Sequence, residues 1–559
     1  MSGAHVRLLM RIVLLCAALC LPQVVLSDDA DRRMSIGLNG ISDWSTQHPF
    51  IDLMKTARPW IGHLPGQWGG VTFEELQTRG AIASDGWPIS VPPETRFLEA
   101  LILTDQPKDA VHLNGQYHVL YEGQGRLEVT GRARVTRRDD GHKVFTYTPG
   151  EGLVGLRITS TDASDPIRNI RVIKDEQLEL AEAGAVFNPL WVEKLEGFDT
   201  VRFMDWMLTN NSTVVDWDDL PTASDFSYAW RGVPLEVMVA LANEIDAHPW
   251  FNMPHLASDA LVQQYAAEVF ATLEPELVAH VEYSNEVWNF IFEQARWAGQ
   301  QAEALWGDLG DGWMQFYGLR AAQVMEIWTD VYGDAATDQL NRVAGMHTGW
   351  PGLEEAFLQG QKVREALGGN PVDLFDAYAV TGYFGYELND PEASEAMLDA
   401  AEARARTAGE AEGLQRVALR EFVRERQFDG TFAEAADMVR AGSFRELTEE
   451  LWPYHARVAA SHGLELLMYE GGTHAAADWE AVDNERLVEF LNAFNYSDEM
   501  GALYEDAVAA FAEIGGTSFN VFVDVAPLSK WGSWGALRHL NDDNPRWRAV
   551  QSYVATPSE

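Results

Sequence analysis

Cysteine is nearly absent from this sequence of 559 residues, which contains only Cys16 and Cys20. Both lie within an N-terminal segment that has the features of a secretory signal, so a processed chain would contain no cysteine at all. That absence excludes disulfide bonds, a cysteine nucleophile and thiolate metal sites from the mature protein. A large hydrophobic core must then hold the chain together without covalent cross-links.

The N-terminal segment lacks the length of a membrane span. Arg7 and Arg11 form a short basic region, residues 12–25 are apolar, and Val25 and Ser27 suit the third and first positions before a cleavage site. We therefore predict a signal peptide at residues 1–27 and a secreted or periplasmic protein. The alternative is a membrane anchor, but the apolar run is shorter than the roughly 20 residues that a spanning helix needs. We expect no stable membrane insertion after the signal is removed.

Positive charge is also scarce, and lysine is the rarer of the two basic residues. The chain has 41 Lys and Arg against 85 Asp and Glu, which gives a formal net charge of −44. Nucleic acids and anionic membranes are poor partners for such a surface, and neutral substrates are favoured over polyanionic ones. A saline habitat and general solubility explain the acidity equally well. The sequence does not fix the oligomeric state.

The motifs of several common enzyme classes are missing. The chain contains no HExxH zinc motif, no GxSxG nucleophile elbow and no phosphate-binding P-loop. No His-x-His pair indicates a metal centre. We therefore expect neither a metal ion nor a cofactor.

Helical periodicity is missing from about Leu64 to Val172. Apolar residues alternate with polar ones around Leu127 and Val129, and residues 143–147 also resemble a strand. Turns rich in Gly and Asp separate these runs, which is typical of a small antiparallel β-sandwich. We predict an inserted all-β sandwich at residues 64–175, after a first barrel unit at 28–63. No linker rich in Pro, Ser or Gly flanks it, so we expect it to pack against the rest of the protein.

The remainder of the chain, residues 176–559, alternates strands with helices. Together with the first unit it supplies eight strand candidates, a pattern that predicts an α/β fold of parallel βα units closed into a (β/α)8 TIM barrel. An Ala- and Glu-rich helical elaboration is predicted near residues 390–445. The eight candidates are Ser35–Leu38, Thr200–Trp206, Trp250–Pro254, Ala279–Ser284, Arg342–His347, Leu374–Thr381, Leu464–Tyr469 and Ser518–Asp524.

Two carboxylates stand at predicted strand ends, where barrels of this kind carry their active sites. Glu286 lies in the run Val281–Asn289 after the fourth strand, beside Asn285 and Trp288. Glu470 ends the seventh strand, and Gly471 and Gly472 follow it. Cleavage of a glycosidic bond needs two carboxyl groups that flank it, one of them protonated near neutral pH. The alternatives are a solvated loop carboxylate for Glu286 and a turn residue for Glu470.

An Asn-Glu pair that ends strand four and a lone Glu that ends strand seven resemble the pattern of clan A glycoside hydrolases. The resemblance implies a retaining mechanism with Glu286 as acid/base, Glu470 as nucleophile and Asn285 as a ligand of the substrate 2-hydroxyl. It covers the barrel but not the sandwich. Val287 departs from the proline that many members have after the strand-four Glu. The whole chain is also similar to secreted bacterial proteins labelled as cellulose-binding.

The same resemblance implies further substrate-binding residues. Arg202 would keep Glu470 ionised, although a structural ion pair with Glu282 is its alternative. His255 and Tyr383 resemble a substrate-side histidine and a tyrosine that steadies the nucleophile; a capped core histidine and a packing tyrosine are the alternatives.

Tryptophans near predicted strand ends indicate a sugar site, because sugar rings stack on such surfaces. The tryptophans in such positions are Trp44, Trp206, Trp217, Trp230, Trp288, Trp350, Trp531 and Trp534, and core packing or loop anchoring is the alternative for about half of them. Trp288, Trp531 and Trp534 are the candidates for substrate binding. The sequence thus predicts a glycosidase of polysaccharide degradation that cleaves β-linked, neutral poly- or oligosaccharide by double displacement. The alternative is a non-catalytic secreted carbohydrate-binding protein on a barrel scaffold.

Overall fold

The computed structural model describes residues 33–554. The signal peptide predicted at residues 1–27 lies outside this range. Among residues 33–554, no helix combines the length and the apolar character that crossing a membrane requires.

An antiparallel region, residues 61–174, follows the first barrel strand, β1 (Arg33–Gly37). Its strands form a four-stranded sheet in the order β10-β5-β8-β7 and a five-stranded sheet in the order β3-β2-β4-β9-β6. The first of these strands begins three residues before the predicted start of the sandwich. The strands are β2 (Ile61–His63), β3 (Gly70–Val71), β4 (Phe97–Ile102), β5 (Gly115–Glu122), β6 (Gly125–Gly131), β7 (Arg134–Asp139), β8 (His142–Tyr147), β9 (Val154–Thr161) and β10 (Arg168–Lys174).

Both sheets of the antiparallel region contribute to one apolar core. Tyr117 and Phe145 come from the four-stranded sheet, Leu98 and Leu156 come from the five-stranded one, and all four are buried in the same cluster. Phe226, from the segment after the second barrel strand, is fully buried in that cluster too. The region therefore packs against the barrel segment through a shared core, while the boundaries 64–175 of an independent domain stay a prediction.

The remaining strands close a parallel barrel with β1, so the predicted α/β class and eight-stranded (β/α)8 barrel are confirmed. Its strand order is β1-β11-β12-β13-β14-β15-β16-β17, with β17 pairing back onto β1. The added strands are β11 (Thr200–Arg202), β12 (His248–Met253), β13 (Ala279–Tyr283), β14 (Leu340–Gly345), β15 (Ala377–Phe384), β16 (Glu465–Thr473) and β17 (Gly516–Val521).

Helices flank the barrel strands, and their sequences explain where they form. The helix Asp259–Thr272 begins after Ser258, whose hydroxyl accepts a hydrogen bond from the Leu261 amide. It buries Leu261, Tyr265 and Val269, which are spaced four residues apart on one face. The helices outside the elaboration are Phe73–Thr78, Leu178–Glu182, Pro189–Leu195, Leu235–Ile245, Asp259–Thr272, Glu293–Trp306, Gly312–Tyr332, Ala336–Gln339, Glu354–Gln359, Gln361–Leu367, Trp452–His462, Glu485–Phe494, Asp498–Glu513 and Pro545–Gln551.

The elaboration between β15 and β16 is helical. Its helices are Pro391–Ala411, Arg416–Glu425, Thr431–Ala441 and Ser443–Glu446, and a π-helical turn at Leu447–Leu451 joins the last of them to the barrel helix Trp452–His462. Turns of this kind are frequent at functional sites. This one lies beside the mouth of the barrel, as its contacts with the candidate site show.

Candidate active site

Glu286 stands in a tight turn after β13. Ser284 and Glu286 both adopt left-handed backbone conformations, with φ of 59° and 44°. Residues other than glycine pay about 1–3 kcal/mol for such a conformation and keep it where the surrounding structure enforces it. The Ser284 amide donates to the Met253 carbonyl at the end of β12 (2.8 Å), which fixes the turn to the neighbouring strand.

Glu470 lies within β16, at an irregularity in its pairing with β15. Val380 pairs with Met468 and Thr381 pairs with Glu470, so Tyr469 is an extra residue on β16. A bulge of this kind redirects side chains, which lets Tyr469 and Glu470 both contribute to the barrel mouth. Gly472 follows with φ of 132°, and a Cβ there would come within 2.2 Å of the Tyr504 hydroxyl, so only glycine fits.

Arg202, the last residue of β11, joins the two strand ends. Its Nη1 donates to Glu470 Oε1 at 2.8 Å, and its Nη2 donates to Glu282 Oε2 and to Asn285 Oδ1 at 2.9 Å each. The side chain is only 2% exposed. Both interpretations of Arg202 therefore hold: it contacts Glu470 and it forms a structural ion pair with Glu282.

Glu282 anchors the arginine from inside the barrel. Its Oε2 also accepts from Trp250 Nε1 (3.0 Å) and from Asn252 Nδ2 (2.7 Å). The guanidinium of Arg202 lies 5.5 Å from the ring centre of Trp250 and 5.2 Å from that of Tyr469. A buried cation held by two carboxylates and two aromatic rings has little freedom to move, so Glu470 is held in place.

Tyr383 on β15 supplies the second hydrogen bond to Glu470. Its hydroxyl donates to Glu470 Oε2 at 2.9 Å. Burial and the charge of Glu470 raise the pKa of Tyr383 well above its ordinary value, so the phenol stays protonated and donates. Each oxygen of Glu470 thus accepts a hydrogen bond that stabilises the carboxylate form.

Glu286 has weaker partners. Asn289 Nδ2 donates to Oε2 at 2.9 Å, and the Tyr469 hydroxyl approaches Oε1 at 3.4 Å. Desolvation, and after it the charge of Glu470, raise the pKa of Glu286 to about 8. The two carboxyl groups are therefore placed in contrasting environments, one stabilised as an anion and one as an acid.

Glu286 and Glu470 line the same cavity, which has a volume of about 450 Å³. Trp288, Tyr383 and Trp534 line it as well, so the structure brings together five of the residues that the sequence singled out. Among residues 33–554, no group of three His, Cys, Asp or Glu side chains is placed to hold a metal ion.

Asn285 and Arg202 lie behind this cavity rather than in its lining. Asn285 is 2% exposed, and its side chain accepts from Arg202 and donates to Asn210 Oδ1 at 3.1 Å. The guanidinium of Arg202 donates to Glu470, Glu282 and Asn285, and the predicted part of Arg202 and Asn285 in substrate binding stays a prediction. Arg202 acts on the site through Glu470.

His255, predicted as a substrate-side histidine, is buried. It does not line the cavity: its ring packs edge-on against Trp297 with centres 5.6 Å apart, and the residue is 3% exposed. Burial lowers the pKa of His255 to about 4, which keeps the ring neutral at this position. The alternative of a core histidine, left open on the sequence, fits this placement.

Trp531 also lies outside the main cavity, in the lining of a second one next to it. Its partner there, Trp479, carried no sequence signal, because it follows β16 in a segment without any periodic pattern.

Several lining residues of the main cavity were missed. His347 packs against Trp288 with ring centres 4.1 Å apart and ring planes tilted by 55°, and Phe522 follows β17 directly. Their positions just after β14 and β17 are the signal that could have found them.

The helical elaboration forms one wall of the cavity. Ser443 and Leu447 line it, and the Ser443 hydroxyl accepts from the Gly385 amide at 2.8 Å and donates to Glu387 Oε2 at 2.9 Å. These contacts fasten the end of the elaboration to the segment after β15. The sequence offered no reason to connect this segment with the site.

Comparisons with known proteins add little to this description. No protein-family model matches the chain, and no curated protein matches it. A trimodular endoglucanase of the GH5_4 subfamily is similar over 59% of this chain and 49% of its own, with 11% identity and a TM-score of 0.30. A structure of two fungal β-1,4-galactanases is similar over 67% of this chain and 96% of its own, with 11% identity and a TM-score of 0.31. This chain thus spans about half the length of that endoglucanase, and likenesses this slight carry no argument about function.

Proposed function

We propose that the protein is a retaining β-glycoside hydrolase in which Glu470 is the nucleophile and Glu286 is the acid/base. The observation that carries the proposal is the contrast between two carboxyl groups on one cavity. Arg202 and Tyr383 stabilise Glu470 as an anion, while burial and the charge of Glu470 hold the pKa of Glu286 at about 8. A two-carboxylate cleavage needs this pairing of a base and an acid at neutral pH.

In the first step, a Glu470 oxygen attacks the anomeric carbon of the sugar. Glu286 donates its proton to the glycosidic oxygen as the carbon–oxygen bond breaks, and the released sugar leaves with a new hydroxyl group. The product on the enzyme is a glycosyl ester of Glu470. Tyr383 and Arg202 keep Glu470 in position through its two oxygens.

In the second step, Glu286 is a carboxylate and takes a proton from a water molecule. The water oxygen attacks the anomeric carbon, and the ester bond to Glu470 breaks. Two inversions at the same carbon give a product of retained configuration. Glu286 ends the cycle protonated, and Glu470 ends it as the free carboxylate.

The proposed substrate class rests on the net charge of the protein and on the aromatic residues that line the cavity. A formal net charge of −44 disfavours polyanionic glycans, and the cavity offers the aromatic faces of Trp288 and Trp534. We therefore propose a neutral β-linked poly- or oligosaccharide, reached by a protein exported through the signal at residues 1–27. Non-catalytic carbohydrate binding, including the cellulose binding suggested by the sequence resemblance, is the competing proposal.

Reducing-sugar release from a panel of neutral β-glycans distinguishes hydrolysis from non-catalytic carbohydrate binding. The panel contains β-1,4-glucan, β-1,3-glucan, β-1,4-galactan, β-1,4-mannan and β-1,4-xylan, and E470Q is the control for contaminating activity. We expect release from at least one glycan by the wild type alone, with a product that ¹H NMR shows first in the β configuration. Binding without release from any member would favour the non-catalytic alternative, and a first product in the α configuration would exclude a retaining mechanism.

A further inference from the structure

A second cavity adjoins the first at the mouth of the barrel. Its volume is about 310 Å³, which is within the range of roughly 300–1,000 Å³ that small-molecule sites occupy. It shares His474 and Trp534 with the cavity that holds Glu286 and Glu470. The two cavities therefore adjoin at these two side chains, which places the second cavity within reach of a ligand that extends beyond the first.

Two exposed tryptophans form the outer part of this second cavity. Trp479 is 84% exposed and Trp531 is 47% exposed, and their ring centres lie 5.0 Å apart at an angle of 53°. Single exposed apolar residues need no explanation, but an adjacent pair of large exposed aromatic rings in the lining of a cavity is a candidate for ligand contact. We call this pair the tryptophan platform.

The loop that carries Trp531 is held in place by polar contacts. The Ser529 hydroxyl accepts from the Trp531 amide at 3.1 Å and donates to the Gly532 carbonyl at 3.0 Å. Lys530 Nζ pairs with Asp483 at 2.7 Å, which ties this loop to the segment that carries Trp479. The Ser529 contacts order the loop that carries Trp531, while the exposed pair of Lys530 and Asp483 adds only a weak link between the two loops.

The chemistry of the platform fits a neutral sugar. A pyranose ring has an apolar face of C–H bonds, which stacks on aromatic rings, and an edge of hydroxyl groups. Asn389 and Asp478 line the same cavity and offer hydrogen-bonding groups to such an edge. The nearby cation, Lys530, is already paired with Asp483, so no free positive charge favours an anionic ligand there.

We propose that the tryptophan platform is a distal subsite for one sugar unit of a neutral oligosaccharide chain whose other end occupies the cavity of Glu286 and Glu470. This inference rests on the proposed function for the identity of the ligand. It makes the substrate a chain of several units rather than the glycoside of a single sugar.

Binding to an inactive enzyme tests the subsite directly. The probes are β-1,4-gluco-, β-1,3-gluco-, galacto-, manno- and xylo-oligosaccharides of two to six units, titrated into E470Q by calorimetry. Trp479→Ala and Trp531→Ala are introduced into E470Q, and Trp68→Ala is the matched control, because Trp68 is 58% exposed but lies in the antiparallel region. Circular dichroism checks that each variant folds.

We expect Trp479→Ala to weaken binding of the longest bound oligosaccharide roughly tenfold, which corresponds to the loss of about one stacking contact. The disaccharide of the same series should bind with nearly unchanged affinity, and Trp68→Ala should change neither. Equal affinities of Trp479→Ala and its parent for every bound probe would overturn the subsite, and so would the absence of binding by any probe.

The binding test of the subsite and the hydrolysis test of the proposed function can fail independently. If the wild type releases no reducing sugar but the platform variants bind long oligosaccharides more weakly, hydrolysis is wrong and the subsite stands. If the wild type hydrolyses a glycan while the platform variants of E470Q bind long chains like their parent, the subsite is wrong and the hydrolase stands.

Discussion

The ends of β13 and β16 carry the same functional group in opposite surroundings. Near the end of β16, Glu470 accepts hydrogen bonds from a buried guanidinium and from a phenol, at 2.8 and 2.9 Å. At the end of β13, Glu286 has an amide at 2.9 Å and a distant hydroxyl at 3.4 Å. The difference shows how one barrel mouth can hold an anion and an acid side by side at the same pH.

The two environments depend on each other. The charge of Glu470 is, after desolvation, the second cause of the raised pKa of Glu286. Arg202 stabilises that charge and is itself held by Glu282. A change at one strand end should therefore be measurable at the other, and the following variants are ordered by the size of the effect expected.

Removal of the nucleophile should have the largest effect. We expect Glu470→Gln to lower kcat roughly 10⁴-fold or more on every substrate, because no group remains to form the ester. Steady-state kinetics on the active glycan measure this. Glu465→Gln is the matched control, since Glu465 lies at the opposite end of the same strand; equal losses in the two variants would mean that the effect is structural.

The loss of activity on removal of the acid, Glu286, should depend on the leaving group of the substrate. We expect Glu286→Ala to lower kcat about 10²–10⁴-fold on natural glycans, because the leaving oxygen is not protonated, and far less on nitrophenyl glycosides. Added azide should restore turnover and give a glycosyl azide of retained configuration, since a small anion fits where the carboxylate was. An azide product of inverted configuration would mean that Glu286, not Glu470, is the nucleophile.

Loss of the shared cation should destabilise the fold as well as the site. We expect Arg202→Gln to cost about 3–5 kcal/mol in the free energy of unfolding, because two buried carboxylates lose their partner. Chemical denaturation measures this. Arg548→Gln, which removes an exposed pair with Asp543, should cost about 0–1 kcal/mol; a similar small cost for Arg202→Gln would contradict the role of Arg202.

Removal of the Tyr383 hydroxyl should have a smaller effect, and one that is confined to catalysis. We expect Tyr383→Phe to lower kcat/KM about 10- to 100-fold, which corresponds to a lost hydrogen bond to a charged group. Tyr454→Phe is the control, because the Tyr454 hydroxyl donates to Glu354 outside the cavity. An unchanged kcat/KM in Tyr383→Phe would show that this hydrogen bond does not act on the nucleophile.

Strand periodicity and motif position were enough to predict the barrel and the two carboxylates. Buried parallel strands appear in the sequence as apolar runs, so all eight could be placed. Glu470 stands out because it ends such a run, and Glu286 because it follows the fourth strand closely. The contact of Arg202 with Glu470 was expected from the resemblance, and the structure contains it.

Other features of the site had no sequence signal. The bulge at Tyr469 depends on pairing between β15 and β16, and the π-helical turn at Leu447–Leu451 depends on packing at the cavity wall. The position of His255 after β12 fits a substrate ligand, while its burial against Trp297 is visible only in the structure. Side-chain direction beyond a strand end is set by tertiary contacts, which local patterns do not encode.

The central claim is that Glu286 is protonated while Glu470 is ionised, and a ¹³C NMR titration of the glutamate carboxyl groups tests it without a substrate. Spectra of Glu286→Gln and Glu470→Gln assign the two signals. We predict that the Glu286 carboxyl titrates near pH 8 in the wild type, and that its midpoint falls in Glu470→Gln because the neighbouring charge is gone. Since the acid must be protonated, kcat/KM should decline as the pH rises through the same midpoint. Titration of Glu286 near the ordinary glutamate value of about 4.3, with no change in Glu470→Gln, would contradict the account.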